Sequence, residues 1–351
     1  MTVSVLVVDD SAFFRSRIVQ LLKRSPKLRV VGEASNGREA LRLALDLKPD
    51  LITMDYEMPV MDGITAMIEI RKQWPIPVIM LSSLTFEGAR LTIKALEAGA
   101  ADFLVKSQMD AQMDGRPLLI EKILALVAAK NIGVESKQAV HHPVSVSGPV
   151  PAPTVHTSTK SLERLKLLVV AASTGGPLAI RQVLEVLPAT FRCPILVVQH
   201  MPERFTQAFA ERLGEHCRIG VEEAEDGVAL KAGHAYVAPG GKQLLLAQQS
   251  GLCAQVVADH DGRLYKPSVD VTLGSAAKVV GAGVLALVLT GMGDDGTRGG
   301  RLLHAAGGIL WVQEASSCVV NGMPQSLRNA GLADEVLTLS DMGRRLAMLT
   351  H

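Results

Sequence analysis

The chain has 351 residues, of which 48% are hydrophobic and 20% are charged, and its formal net charge is +1. This composition excludes general disorder, and the length favours two domains because single cores stop growing beyond about 250 residues. The balanced charge, without a long basic block, does not indicate a nucleic-acid partner or an anionic membrane surface.

Cysteine usage and the apolar runs bear on the cellular compartment. The four cysteines are widely spaced and form no C-x-x-C pair, and no signal peptide precedes the first strand-like segment. The longest apolar runs are shorter than the about 20 residues that a bilayer requires. The sequence therefore predicts a cytoplasmic protein without membrane insertion.

Short apolar runs alternate with segments of helical period through the first part of the chain. The predicted strands lie at 4–8, 28–34, 50–55, 77–82 and 101–105, and the predicted helices at 13–24, 38–47, 63–72, 89–99 and 118–130. This alternation is typical of a parallel sheet covered by helices on both faces. It predicts an α/β domain over residues 1–125.

The periodicity lapses after this domain and then resumes. Residues 126–164 include a stretch rich in Pro, Ser, Thr and Val, which we interpret as an extended linker. Further strand-like runs lie at 166–173, 193–200, 234–240, 243–247, 284–291 and 307–314. They predict a second α/β domain over residues 165–347, doubly wound and mostly parallel.

Charged residues end several predicted strands of the first domain. Asp9 and Asp10 follow the first strand, Asp55 the third and Lys106 the fifth. Since parallel strands end at one edge of a sheet, three carboxylates crowd one crevice and require positive charge, which Mg²⁺ and Lys106 supply. Asp55 is then a nucleophile toward phosphorus, with the Ser82 hydroxyl opposite. Taken singly, each acid is more often a helix cap, but the four positions together favour a phosphoacceptor.

The motifs VDDS, MDYEMPVMDG, PVIMLSS and AGAADFLVK occur in this order. With them the first domain resembles a response-regulator receiver domain, which has a flavodoxin-like fold. The resemblance implies that a histidine kinase phosphorylates Asp55. It also implies a Mg²⁺ site for this phosphorylation, formed by Asp9, Asp10, Asp55 and Glu57.

The same resemblance implies a phosphorylation switch made of Ser82 and Lys106. Ser83 offers a second hydroxyl at the same strand end. Ser107 follows Lys106, where receivers usually have a proline.

Ser173 lies in LLVVAASTGGPLAI, at a predicted strand-to-helix corner. Three roles stay open for it: a helix cap, the rim of a phosphate cradle, or a nucleophile. The phosphate cradle fits least, because no Gly-Lys-Ser/Thr follows and the glycines are not spaced as G-x-G-x-x-G. A nucleophile would benefit from Gly175 and Gly176, which permit close approach, and from the N–H groups at the helix start.

Two further strand ends carry candidates for a hydrolytic triad. PILVVQH ends in His200, and VLALVLTGMGDDG carries Asp294 and Asp295. His200 would take the proton of Ser173 and return it to the leaving group, and an aspartate would fix the histidine tautomer. Each residue alone fits a structural role, but together they favour a hydrolase.

The second domain contains AASTGGP, VVQHMP, AYVAPGG, LTGMGDDG and QEASSCVVNGMP. With these motifs it resembles the catalytic domain of the chemotaxis protein-glutamate methylesterases, the CheB family. The resemblance implies a triad of Ser173, His200 and Asp295. It also implies an oxyanion hole formed by the backbone N–H groups of Thr174 and Met292.

The resemblance implies hydrolysis of glutamate γ-methyl esters on methyl-accepting chemoreceptors, with a chemotaxis histidine kinase as phosphodonor and no cofactor for the esterase step. It leaves open the deamidation of particular glutamines. Gln243 departs from the family, which tends to have histidine after A-P-G-G.

We hypothesise that the unphosphorylated receiver covers the catalytic edge and that phosphorylation of Asp55 uncovers it. Two functions of other classes are alternatives. One is a noncatalytic docking surface, and the other is a DNA-binding output, which would require a helix-turn-helix or a basic stripe.

Overall fold

The computed structural model describes residues 2–113, 115–138, 162–259 and 263–349. The chain divides into two compact units, Met1–Ala129 and Lys130–His351. The main sheet of each unit is parallel and is accompanied by helices, which confirms the predicted α/β class of both halves. Part of the predicted linker, residues 139–161, lies outside the described residues. Within the described ranges, we find no helix with the length and hydropathy of a membrane span.

The first unit has a five-stranded sheet in the order β2-β1-β3-β4-β5. Its strands are β1 (Val3–Val8), β2 (Leu28–Ala34), β3 (Leu51–Asp55), β4 (Val78–Ser82) and β5 (Asp102–Val105). Its helices are α1 (Ala12–Leu22), α2 (Gly37–Leu47), α3 (Gly63–Gln73) and α4 (Phe86–Glu97). The helix α5 (Leu118–Gln138) begins in this unit and continues past Ala129. A short antiparallel pair, β6 (Gln112–Met113) and β7 (Arg116–Pro117), precedes α5.

Local sequence explains where several of these helices begin and end. Side chains cap the N-termini of α2, α3 and α4, because Asn36, Asp62 and Thr85 each accept a backbone N–H from the first turn. The helix α5 continues past residue 130, where the periodicity predicted its end. No proline interrupts this extension, because the next one is Pro143.

The second unit has a seven-stranded sheet in the order β10-β11-β9-β8-β14-β15-β16. Its strands are β8 (Leu167–Ala172), β9 (Ile195–Gln199), β10 (Gly220–Glu223), β11 (His234–Val237), β14 (Val284–Val288), β15 (Ile309–Gln313) and β16 (Glu335–Leu337). Its helices are α6 (Gly176–Leu184), α7 (Phe205–His216), α8 (Val269–Val279), α9 (Thr297–Ala305), α10 (Gly322–Asn329) and α11 (Leu339–Ala347).

A separate hairpin departs from the expected alternation. The predicted run at 243–247 lies in β12 (Lys242–Gln248), which pairs antiparallel with β13 (Leu252–Ala258) rather than joining the main sheet. The edge strands β10 and β16 were not predicted either. Both are short and carry glutamates, so they lack the apolar signal of the buried strands.

Both sheets change winding direction at their centre. In the first unit the chain leaves β1 toward β2 and leaves β3 toward β4, and in the second it leaves β8 toward β9 and β14 toward β15. Open α/β sheets bind ligands at such switch points, beyond the carboxyl ends of the strands. The two candidate sites lie there, and every residue of β3, β8 and β14 is buried, which gives them a rigid base.

Candidate active site

Ser173 and His200 follow neighbouring strands of the second unit. Ala172 and Gln199 are register partners at the ends of β8 and β9, so the two predicted residues come next on adjacent strands. The His200 N–H donates to the Ala172 carbonyl at 3.1 Å, and the Ser173 N–H donates to the Thr290 carbonyl at 3.0 Å. Ser173 therefore sits between His200 and the loop that follows β14.

The Gln199 side chain holds the main chains of Ser173 and His200. Its Nε2 donates to the Ser173 carbonyl at 2.9 Å and to the His200 carbonyl at 3.2 Å. A Cβ on Gly176 would lie 2.0 Å from Gln199 Oε1, so the helix can approach this amide only with glycine there. Our sequence analysis missed Gln199, although it stands directly before His200.

The imidazole of His200 is bonded to the carboxylate of Asp295. The distance between His200 Nε2 and Asp295 Oδ2 is 2.7 Å, and both side chains are buried. Asp295 Oδ2 also accepts the Val269 N–H at 2.7 Å. Asp295 Oδ1 accepts the Ser268 hydroxyl at 2.9 Å and the Asp270 N–H at 3.0 Å. The carboxylate thus has donors on both oxygens, three of them from the start of α8.

These donors determine the charge of Asp295. Burial by itself would raise the pKa of Asp295, but the hydrogen bond from His200, the electrostatic attraction of this residue and the two backbone N–H groups together hold this pKa below its usual value. The carboxylate is therefore ionised near neutral pH. An ionised acceptor keeps a proton on His200 Nε2, which leaves Nδ1 as the basic nitrogen.

The expected hydrogen bond between Ser173 and His200 is not formed. His200 Nδ1 is buried and has no hydrogen-bond partner among the described residues. Catalytic hydrogen bonds are often long or misaligned before substrate binds and then tighten. His200 directly follows β9 and Ser173 directly follows the neighbouring β8, so the lone pair on Nδ1 is available for such a bond.

The structure separates the two candidate aspartates. Asp294 is exposed, whereas Asp295 is 6% exposed and bonded to His200. Asp295 caps α8, and Asp270 in return caps α9 by accepting the Gly296 N–H at 2.9 Å and the Gly299 N–H at 2.8 Å. This reciprocal arrangement fixes the position of the Asp295 main chain.

The corner at Ser173 is tightly packed. The cap residue of α6 is Gly175 at φ 77°, a left-handed conformation that suits glycine, so Ser173 is not the helix cap. A Cβ on Gly291 would lie 2.9 Å from the Ser173 Cβ. The predicted oxyanion residues therefore lie on either side: Thr174 directly follows Ser173, and Met292 directly follows Gly291.

The first unit holds its predicted acidic pocket together with one lysine. Lys106 Nζ lies 2.7 Å from both Asp9 Oδ2 and Asp55 Oδ2, and it is aligned for a hydrogen bond with Asp55. Burial raises the pKa of Asp55 to about 6, although the hydrogen bond and charge of Lys106 act against this rise. Lys106 makes these contacts although Ser107, rather than a proline, follows it.

Oxygen atoms of Asp9, Asp10 and Asp55, one from each, lie within 4.8 Å of one another. Asp9 Oδ2 is buried and has Lys106 Nζ at 2.7 Å. A hard cation that takes carboxylate oxygens and keeps several waters fits this donor set. Glu57 has an exposed side chain and its carboxylate is not part of the cluster.

The two candidate switch hydroxyls have different surroundings. Ser82 is fully buried, and its Oγ accepts the Thr92 hydroxyl of α4 at 2.9 Å and lies 3.3 Å from the Gly88 carbonyl. The Ser83 hydroxyl lies 3.2 Å from the exposed Thr85 hydroxyl. Ser82 is thus the hydroxyl that connects the end of β4 to α4.

Comparison with known proteins agrees with this arrangement. Residues 168–346 match the model of the CheB methylesterase family, and residues 5–116 match the response regulator receiver domain. The chain belongs to the CheB methylesterase family. Its receiver precedes the methylesterase domain in the order that the sequence motifs predicted.

Relatives of this family resemble the chain over its whole length. The protein-glutamate methylesterase/protein-glutamine glutaminase of group 1 operon from Pseudomonas putida is 46% identical, with 99% of each chain covered. The protein-glutamate methylesterase/protein-glutamine glutaminase 1 of Pseudomonas aeruginosa is 47% identical, again over 99% of each. The crystal structure of the Thermotoga maritima CheB methylesterase catalytic domain matches with a TM-score of 0.51 and 39% identity, covering 53% of this chain and 98% of that one.

Proposed function

We propose that this CheB family member hydrolyses glutamate γ-methyl esters on the cytoplasmic region of methyl-accepting chemoreceptors. Family membership and the names of the relatives support this reaction. The observation that supports the mechanism is the 2.7 Å bond between His200 and Asp295. His200 directly follows β9, and Ser173 directly follows the neighbouring strand β8. Such a substrate places the enzyme in the cytoplasm.

The first step is the attack of the Ser173 hydroxyl on the ester carbon. As the bond from Oγ to carbon forms, His200 Nδ1 accepts the hydroxyl proton and the carbonyl electron pair moves onto oxygen. Asp295 stabilises the imidazolium, because its carboxylate already accepts the proton on Nε2. Nδ1 is the base because Asp295 already accepts the hydrogen bond from Nε2.

The tetrahedral intermediate then collapses. The imidazolium gives its proton to the methoxy oxygen as the carbon–oxygen bond breaks, and methanol leaves. Water attacks the acyl-serine with His200 again as base, which yields a glutamate carboxylate and restores the Ser173 hydroxyl. Backbone N–H groups of Thr174 and Met292 stabilise the oxyanion in both steps, and one such donor contributes about 10²–10³ in kcat.

A second reaction of the same site is the deamidation of glutamine side chains. Its tetrahedral intermediate carries the same oxyanion, and ammonia leaves in place of methanol. The relatives from both Pseudomonas species are named for this glutaminase activity as well.

We also propose that a chemotaxis histidine kinase phosphorylates Asp55 and that this phosphorylation raises methylesterase turnover. Asp9, Asp10 and Asp55 would hold Mg²⁺, which neutralises phosphoryl charge when bound. Lys106 already contacts the acceptor carboxylate and so lies where it can bind phosphoryl oxygens. The Ser82 hydroxyl, at the end of β4, is bonded to Thr92 of α4, which supports a role for Ser82 in transmitting the effect of phosphorylation to α4.

The test is methanol release from a methylated receptor cytoplasmic fragment, measured with and without acetyl phosphate. We expect Ser173→Ala to abolish release while Asp55 is still phosphorylated, and Asp55→Ala to abolish the stimulation while the basal rate persists. Release by Ser173→Ala would contradict the mechanism, and unchanged stimulation in Asp55→Ala would contradict the regulation.

A further inference from the structure

A tyrosine lies flat against the predicted catalytic imidazole. The rings of Tyr265 and His200 have centroids 4.0 Å apart and an angle of 9° between their planes. Within the described part of the chain, the His200 ring makes one side-chain hydrogen bond, through Nε2, and one bond leaves the ring free to pivot about that atom. Stacking on Tyr265 defines the plane of the ring, and with it the direction of Nδ1.

The segment that carries Tyr265 belongs to no helix or strand, yet its main chain is held from the neighbouring hairpin. Gln243 of β12 is 2% exposed and bridges the segment with both ends of its amide. Its Nε2 donates to the Tyr265 carbonyl at 2.9 Å, and its Oε1 accepts the Ser268 N–H at 2.8 Å. A third bond joins the Gly241 N–H to the Lys266 carbonyl at 3.0 Å.

The same segment also reaches the carboxylate partner of His200. The Ser268 hydroxyl donates to Asp295 Oδ1, and the next residue, Val269, donates its N–H to Oδ2. The ring contact and the carboxylate contact therefore arise within five consecutive residues, 265–269. The buried Gln243 side chain bonds to Tyr265 and to Ser268, so it links the residue that stacks on His200 to a residue that contacts Asp295.

We propose that Tyr265 is a positioning residue for His200 and that Gln243 supports it by holding its main chain. The inference rests on the proposed function, since its effect is exerted through the base nitrogen. Loss of the stacked ring lets the imidazole rotate away from Ser173. A misplacement of about 1 Å at such a site lowers the rate by about 10²-fold. The chemical step slows, and substrate binding does not change.

The experiment compares full-length variants by kcat and KM for methanol release from the methylated receptor fragment. Tyr265→Leu removes the ring and should lower kcat by about 10²-fold at constant KM, whereas Tyr265→Phe keeps the ring and should restore kcat close to wild type. Gln243→Leu should lower kcat in the same direction. Gln255→Leu, on an exposed position of the partner strand β13, is the matched control and should have no effect.

Thermal unfolding of each variant separates a general loss of stability from mispositioning. If Tyr265→Leu does not fold, the comparison of Gln243→Leu with Gln255→Leu decides the matter. Wild-type kcat in Tyr265→Leu, equal losses in its Leu and Phe variants, or a change confined to KM would overturn the inference. Ser173→Ala is assayed alongside: if it is inactive while Tyr265→Leu is normal, this inference fails and the proposed function stands.

Discussion

Replacing Asp295 by asparagine should trap His200 in the wrong tautomer. The carboxylate accepts four donors, two on each oxygen, among them His200 Nε2 at 2.7 Å. An asparagine has one acceptor oxygen and presents an NH₂ group on its other side. If this NH₂ faces His200, Nε2 must accept and the proton moves to Nδ1, so the base nitrogen is lost. A change of this kind in a serine-histidine-aspartate triad lowers kcat by about 10⁴.

The same substitution leaves the protein folded. With the NH₂ group toward His200, the Val269 N–H also loses its acceptor, and an unsatisfied buried donor costs about 1–3 kcal/mol. Domain stabilities are about 5–15 kcal/mol, so the kinetic effect can be measured on a native enzyme.

Initial rates of methanol release at saturating methylated receptor fragment test this prediction. Asp294→Asn is the matched control, because the neighbouring aspartate is exposed and should keep the wild-type rate. An Asp295→Asn enzyme within tenfold of wild type would refute the tautomer argument. An equal loss in Asp294→Asn would show that the wrong aspartate has been assigned.

Three further predictions concern stability. Folding lowers the pKa of Asp295 below 3.8, so the ionised carboxylate stabilises the fold above that value. This stabilisation is lost as the pH falls through the folded-state pKa. Acid unfolding curves of wild type should therefore be steeper below pH about 4 than those of Asp295→Asn. Gly176→Ala should destabilise the second unit, since its Cβ would lie 2.0 Å from Gln199 Oε1, and an unchanged midpoint in urea would contradict this packing. Lys106→Met leaves the Asp55 carboxylate buried without its ion pair, which costs about 3–5 kcal/mol; denaturant unfolding checks this value, and a loss below about 1 kcal/mol would show that the pair contributes no more than an exposed one.

Sequence periodicity predicted both parallel sheets because their central strands are short, apolar and separated by amphipathic helices. The carboxyl ends of β1 and β3 accordingly place Asp9 and Asp55 in one pocket with Lys106. The antiparallel hairpin of β12 and β13 could not be distinguished in this way. An apolar run such as 243–247 has the same composition whether its partner is parallel or antiparallel.

The contacts around His200 depend on residues that are distant in sequence, and periodicity carries no information about them. The sequence motifs indicated His200 and Asp295, but they did not show which imidazole nitrogen of His200 bonds to Asp295. Tyr265 likewise meets His200, and Gln243 meets Tyr265, only through the folded path of the 265–268 segment. The roles assigned to Ser173 and His200 stay predictions until activity is measured.

Covalent trapping of Ser173 tests the central claim most directly. The full-length protein is treated with a fluorophosphonate, and the modified residue is identified by mass spectrometry of its peptides. We predict a phosphonyl adduct on Ser173, formed much more slowly in His200→Gln and in Asp295→Asn. Absence of an adduct on Ser173, or its formation at the wild-type rate without His200, would contradict a serine nucleophile activated by this histidine.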